Sequence, residues 1–267
     1  MQLIVLGMHR SGTSLAARLL HSMGVYTGDP ALFGANDDNP TGYWERRDVV
    51  ECNAALLRQH QPHWQNLIVT PWIARFTPPP PPVLQQRMQV IMNELNAHPP
   101  WVLKDPHFCL TLPHWRPILT TPVCLILTRD PREVARSLAI RRHNAVPDMA
   151  RGLALWEYYA VSLLKASAGL PRITVHHAGL LNEPVRAVQT LYEALTTQGV
   201  RGLRLPNTHA ITALIDPALY RARKEESPLA LSPFQAHVAA MLHGDVPIDP
   251  EIQISAQTLY RLGITPG

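Results

Sequence analysis

The stretch LGMHRSGTSLAARLL, residues 6–20, carries glycines at 7 and 12, Arg10 and Ser11 ahead of the second glycine, and the hydroxyl residues Thr13 and Ser14 after it. The apolar run QLIVL precedes it and is rich in β-branched residues, as expected of a strand buried on both faces. Leu15, Leu19, Leu20 and Met23 follow at helical spacing. A strand, a glycine turn and a helix in that order point several backbone N–H groups at an anion beside the helix N-terminus. The spacing is that of a phosphate-binding loop, except that Thr13 stands where a nucleoside triphosphatase has its lysine.

That lysine reaches the β- and γ-phosphates in a triphosphatase, where a Ser/Thr and a strand-end Asp hold magnesium. Here the lysine is lacking, and no apolar run ends directly in Asp; LILTRD puts Thr and Arg before Asp130. The loop therefore reads as built for a phosphate without magnesium, and no metal is expected. Taken alone, such a loop is also compatible with a turn of another kind.

Further buried strands are expected at WVLKD (101–105), VCLILTRD (123–130) and RITVHH (172–177). Helical patterns lie between and beyond them, at about 45–60, 83–97, 131–142, 149–168 and 183–198. Strands alternating with helices argue for an α/β fold with a parallel sheet, whose ligands bind at the carboxyl ends of the strands. Arg10, Lys104 and Arg129 fall at those ends. TPPPPPV (77–83) reads as a surface polyproline spacer, neither helix nor central strand. The residues from Leu205 on have weak periodicity and read as a cover on the sheet, so 1–267 is taken as one domain with about 205–267 as its cover or lid.

Apolar residues make up 46% of the 267 and charged residues 16%, a globular composition. The net charge of +4 is spread along the chain with no basic run, which suits a small anionic ligand and argues against nucleic acid. Cys52, Cys109 and Cys124 show no paired spacing and read as buried, reduced thiols. The first apolar run has no basic leader, and no run of about 18 uncharged apolar residues exists, so the expectation is a soluble, cytoplasmic protein without a transmembrane helix.

LTRDPREVARSL (127–138) supplies a second anchor. Arg129 ends a strand, Asp130 is a good N-cap, Pro131 suits the first helical position, and Glu133 completes a capping box. An arginine at a strand end and Ser137, eight residues later, can meet at one external phosphate; the alternative is an arginine in a surface salt bridge.

GMHRSGTS together with Arg129 and Ser137 in RDPREVARS resembles the two cofactor signatures of sulfotransferases that use 3′-phosphoadenosine 5′-phosphosulfate (PAPS). NPTGYWE (39–45) and WVLKDPHFCLTLPHW (101–115) resemble motifs of bacterial sulfotransferase-family proteins, and the likeness runs from about residue 2 to 195. The resemblance implies a P-loop-type, three-layer α/β sandwich. It implies that Arg10, Ser11, Gly12, Thr13 and Ser14 cradle the 5′-phosphosulfate, that Arg129 and Ser137 hold the 3′-phosphate, and that adenosine 3′,5′-bisphosphate is the product. A transferring sulfonate carries one negative charge, which lessens the need for magnesium. Arg10 occupies the position of a lysine or arginine that stabilises charge on the leaving oxygen.

The acceptor hydroxyl or amine also needs a base. Glu45 is the first candidate, since a glutamate downstream of the loop serves distant relatives. His107, three residues after Lys104, is the second, and Asp105 is the third. Lys104 is expected at the sulfonate or the bridging oxygen. Two departures stand out: VHHAGLL (175–181) lacks an acidic pair that relatives show after a tyrosine, and the C-terminal glycine-rich cofactor loop is not recognisable. Arg221, Arg223 and Lys224 of YRARKEES are candidates to serve the 3′-phosphate in its place, or form a solvated charge run. Trp44, Trp64, Trp72 and Phe76 are candidates for lining an acceptor pocket or for the core. Sugars, lipids, peptides and small natural products all remain open as acceptors, and the oligomeric state is not legible. The rival classes are a P-loop kinase and a non-catalytic nucleotide-binding module.

Overall fold

The computed structural model describes residues 1–28, 34, 35, 37, 39–58, 79–140, 146, 148–215 and 229–264. Four strands form one parallel sheet: β1 (Gln2–Leu6), β2 (Trp101–Lys104), β3 (Pro122–Thr128) and β4 (Arg172–His176), in the order β2-β1-β3-β4. All four coincide with the strands read from the sequence, but β4, expected to be buried, is buried on one face only, with Thr174 and His176 exposed on either side of Val175. The helices are α1 (Thr13–Ser22), α2 (Arg47–Arg58), α3 (Pro82–Asn96), α4 (Phe108–Trp115), α5 (Pro131–Ala139), α6 (Met149–Ala166), α7 (His177–Asn182), α8 (Pro184–Thr197), α9 (Thr208–Leu214), α10 (Pro233–His243) and α11 (Ala256–Arg261).

Helices cover both faces of the sheet, which is why β1 reads as an unbroken apolar run. Ile4 and Leu6 pack into a core with α2, α3, α4, α6 and α10, whereas Leu3 and Val5 pack on the other side with α1, α8 and α9. Each such fully buried side chain contributes about 1.5–3 kcal/mol relative to exposure. Register then aligns the strand ends: Val5 of β1 lies opposite Lys104 of β2 and Leu125 of β3. The phosphate loop, Lys104 and Arg129 thus emerge side by side from the same edge.

Local capping follows the sequence with one change of partner. Asp130 accepts a hydrogen bond from Arg132 N at 2.8 Å and caps α5, with Pro131 in the first turn. Glu133, expected to complete the capping box, instead accepts from Arg129 Nε at 3.0 Å. The spacer reading of 77–83 needs correction within the described residues, because α3 already starts at Pro82. Proline has no N–H to lose in the first turn and its φ is pre-set for a helix, so Pro82 starts α3 instead of delaying it. Leu84, Met88, Ile91, Met92 and Leu95 then bury one stripe of α3.

The C-terminal residues hold more regular structure than their weak periodicity suggested. Ser232 and Gln235 form a reciprocal capping box at the start of α10, and Gly244 ends that helix at φ 84°. Val238, Met241 and Leu242 of α10 join the core beside α6, and α10 also packs on β3 and β4. Among the described residues no helix is long and apolar enough to cross a membrane, and the three cysteines are free and buried.

Candidate functional site

Between β1 and α1 the chain turns through Gly7–Gly12. Ser11 N donates to Met8 O at 3.1 Å, and Arg10 (φ 71°) and Gly12 (φ 92°) both take the left-handed conformation. Such alternation turns successive amides toward one concavity, the arrangement that binds anions. Gly12 is required twice over: its φ suits glycine, and a Cβ there would lie 2.5 Å from His177 Cδ2. The donor set is hydroxyls and backbone amides with a guanidinium at hand, which fits a phosphate or sulfonate.

Lys104, buried at the end of β2, is fully engaged. Its Nζ donates to Ser14 Oγ at 3.1 Å, to Tyr43 O at 2.9 Å and to Glu45 Oε1 at 2.5 Å. An ammonium has three N–H donors, so all are used. Glu45 is delivered by the segment NPTGYWE, which the structure shows to be a folded loop. Asn39 Nδ2 reaches Ser14 Oγ at 3.1 Å and Gly42 O at 2.7 Å, and Trp44 Nε1 donates to Thr41 O at 2.9 Å. Trp44 itself sits at φ 59°, rare for a bulky residue, with its ring 5.1 Å from that of His21. Burial raises the Glu45 carboxyl above its ordinary range, against the opposing charge of Lys104.

The other two base candidates form a pair beneath this cluster. Asp105 accepts from Asn53 Nδ2 at 2.8 Å and from His107 N at 3.0 Å, and its Oδ1 lies 2.9 Å from His107 Nδ1. Burial opposes both charges, yet their mutual attraction wins: Asp105 is held well below the carboxylate range and His107 is raised. His107 thus faces the Asp105 carboxylate, whose charge favours the protonated ring. Asn53, itself buried, also accepts from Thr111 Oγ1 and Trp115 Nε1, each at 2.8 Å, and so ties the pair to α4.

On the β3 side, Arg129 Nη1 donates to Arg10 O at 2.8 Å and Arg10 Nε donates to Ser137 Oγ at 2.8 Å. The structure thus brings Arg10, Arg129 and Ser137 together, with Arg10 turned toward Ser137. His177 packs against this group, and burial together with the Arg129 charge pushes its imidazole down to about 3, so it is neutral. Beyond it lies a cavity of about 860 Å³ whose walls include Thr128, Arg129, His176, His177, Ala239 and His243. It opens at the carboxyl ends of β3 and β4.

Sequence reasoning did not find His177, Asn53 or the ion pairs of Arg46 described below. His177 could have been found as the first residue after an apolar strand, facing the loop; Asn53 had the weaker signal of an amide inside an apolar stripe. Trp64, Trp72, Phe76, Arg221, Arg223 and Lys224 lie outside the described residues. Among the described residues no group of three or more His, Cys, Asp or Glu is arranged to hold a metal ion.

Comparison with known proteins follows the same residues. No curated protein matches the chain. Among solved structures it is similar to the sulfotransferase domain from the Synechococcus PCC 7002 olefin synthase, at 14% identity and TM-score 0.49, covering 98% of this chain and 94% of that one. It is also similar to the sulfotransferase domain from the curacin biosynthetic pathway, at 13% identity and TM-score 0.46, covering 98% and 97%. The model of the Sulfotransferase family matches residues 2–199, a span that holds the phosphate loop, Glu45, Lys104, Arg129 and Ser137. The chain belongs to the sulfotransferase family.

Proposed function

We propose that this protein transfers a sulfonate group from PAPS to a hydroxyl or amine of a small-molecule, sugar, lipid or peptide acceptor. The observation that carries this reading is the row of anion-binding groups along one sheet edge: Lys104 after β2, the phosphate loop after β1, and Arg129 with Ser137 beside β3 and α5. Two anion-binding anchors match a nucleotide phosphorylated at both the 5′ and 3′ positions. The cavity on the β3–β4 side has room for a nucleoside next to Arg129. The acceptor then belongs at the opposite end, by Lys104 and Glu45.

When bound, PAPS supplies an activated sulfonate on a bisphosphate leaving group. The new bond forms from sulfur to the acceptor oxygen or nitrogen (S–O or S–N), the bridging S–O bond breaks, and its electron pair leaves on the 5′-phosphate. Glu45 takes the acceptor proton. Its raised basicity suits that role better than His107, whose Nδ1 faces the Asp105 carboxylate. Lys104 and Arg10 stabilise the charge that builds up on the leaving side.

Adenosine 3′,5′-bisphosphate is expected to raise the melting temperature without any metal, because a ligand of the folded state alone stabilises it. Stabilisation by ATP only, and only with magnesium, would overturn the proposal in favour of a kinase. In the same assay Arg129→Ala should weaken the bisphosphate by about 1.5–3 kcal/mol, the worth of a charge-assisted contact. It should scarcely change binding of adenosine 5′-phosphosulfate, which lacks the 3′-phosphate. Equal losses for both ligands would make Arg129 structural.

A further inference from the structure

Glu45 sits in a loop with no helix or strand of its own, yet it must face Lys104. Upstream, Tyr43 O is fixed by both Lys104 Nζ and Ser14 Oγ. Downstream, the very next residue is a buried arginine with both edges of its guanidinium taken. Arg46 Nε and Nη2 donate to the two oxygens of Asp48 at 3.1 and 2.7 Å, and Nη1 donates to Glu94 Oε2 of α3. Glu94 is held in turn by Tyr26 Oη, which donates to its other oxygen at 2.7 Å. Gly28 closes over the arginine, since a Cβ there would lie 2.7 Å from Arg46 Cδ. A bidentate bond to one acid and a further bond to a second fix a guanidinium in direction as well as position.

We propose that Arg46, clamped between Asp48 and Glu94, is a positioning residue that holds the Glu45 carboxylate on Lys104 and so in place to act on the acceptor. The inference rests on Glu45 being the base. Arg46 touches neither donor nor acceptor; it acts by fixing the backbone one residue from the reacting carboxylate, which the left-handed Trp44 would otherwise leave between two unequal anchors.

The test uses Arg46→Met and Glu94→Gln, with Arg46→Lys as the conservative variant. The first readout is the titration of the Glu45 carboxyl carbon by NMR, identified by its loss in Glu45→Gln. The charged groups facing this carboxyl are Lys104, Asp105 and His107, none of which these variants alter. Release of the loop should expose Glu45 to water, so its midpoint falls toward the ordinary carboxylate value in Arg46→Met, less so in Glu94→Gln. The second readout is release of adenosine 3′,5′-bisphosphate from PAPS with water as acceptor, which needs no knowledge of the natural one. It should fall about tenfold in Arg46→Met and recover in part in Arg46→Lys, while bisphosphate affinity is unchanged. Should both variants melt earlier yet keep the wild-type Glu45 midpoint and release rate, the arginine is structural only and the proposal is overturned. If Arg46→Met does not fold, the same two readouts on Glu94→Gln decide it. Failure of the wild-type protein to bind the bisphosphate is a different result: it removes the sulfonate-transfer reading, and the titration still tests the clamp.

Discussion

Glu45→Gln is expected to slow sulfonate transfer at least about a hundredfold while adenosine 3′,5′-bisphosphate binds as before. Glutamine keeps the shape and can still accept from Lys104 Nζ, so the loop should stay closed; what it loses is the ability to take a proton. Burial raises the Glu45 carboxyl, and a base works only when deprotonated. The rate should therefore fall as pH drops through a midpoint above the ordinary glutamate value of about 4.3. The measurement is product formation across pH, run beside His107→Asn. Full turnover in the glutamine variant with a dead asparagine variant would make His107 the base. Full turnover in both would leave Asp105, or an acceptor that arrives deprotonated.

Asp105→Ala should be the most damaging single change to stability, at about 3–5 kcal/mol, the cost of removing one partner from a buried ion pair. His107 is left buried without its counter-ion, and Asn53 Nδ2 and His107 N lose their acceptor together. The loss should depend on pH. His107 has a raised value, so its share of stability is complete below the unfolded histidine value of about 6.5 and disappears as pH rises through the folded one. Asp105 has a lowered value, so its share is complete above about 3.9 and disappears only as pH falls through the folded one. The gap between wild type and variant should thus be widest between about pH 4 and 6.5 and narrow on the alkaline side. Denaturant titrations at several pH values measure it; a gap that stays flat from pH 5 to 9 would mean that His107 is neutral throughout.

β1, β2 and β3 were legible because each is buried on both faces and so leaves a continuous apolar run, the least ambiguous trace a parallel sheet makes, whereas β4, at one edge of the sheet, alternates buried Ile173 and Val175 with exposed Thr174 and His176. The phosphate loop and the Asp130–Pro131 helix start were legible because their chemistry is local: a glycine at positive φ, a cap, a proline without an N–H. Glu133 shows where locality ends. Its spacing from Asp130 suits a capping box, but Arg129 competes for the same carboxylate, and charge outweighs a neutral amide. The clamp on Arg46 was invisible for a related reason. Glu94 lies 48 residues away, and nothing in the spacing says that α3 would bring it to the loop that carries Glu45. Likewise Gly12 reads as a turn glycine, but that an imidazole from the end of β4 rests on it is a fact of packing.

Lys104 and Arg129 each rest against a carboxylate of the protein's own, Glu45 and Glu133. An approaching anion therefore meets cations whose fields are already largely cancelled, and must compete with a tethered rival at each one. A free sulfate or phosphate ion can displace only one of these rivals, and its single contact has to offset the whole loss of its own translational freedom. A molecule carrying two anionic groups on one frame meets both cations at once, and loses that freedom once. On the proposed reading, the resting charge pattern would discriminate by valence and span, favouring a nucleotide with two anionic groups over small single ions.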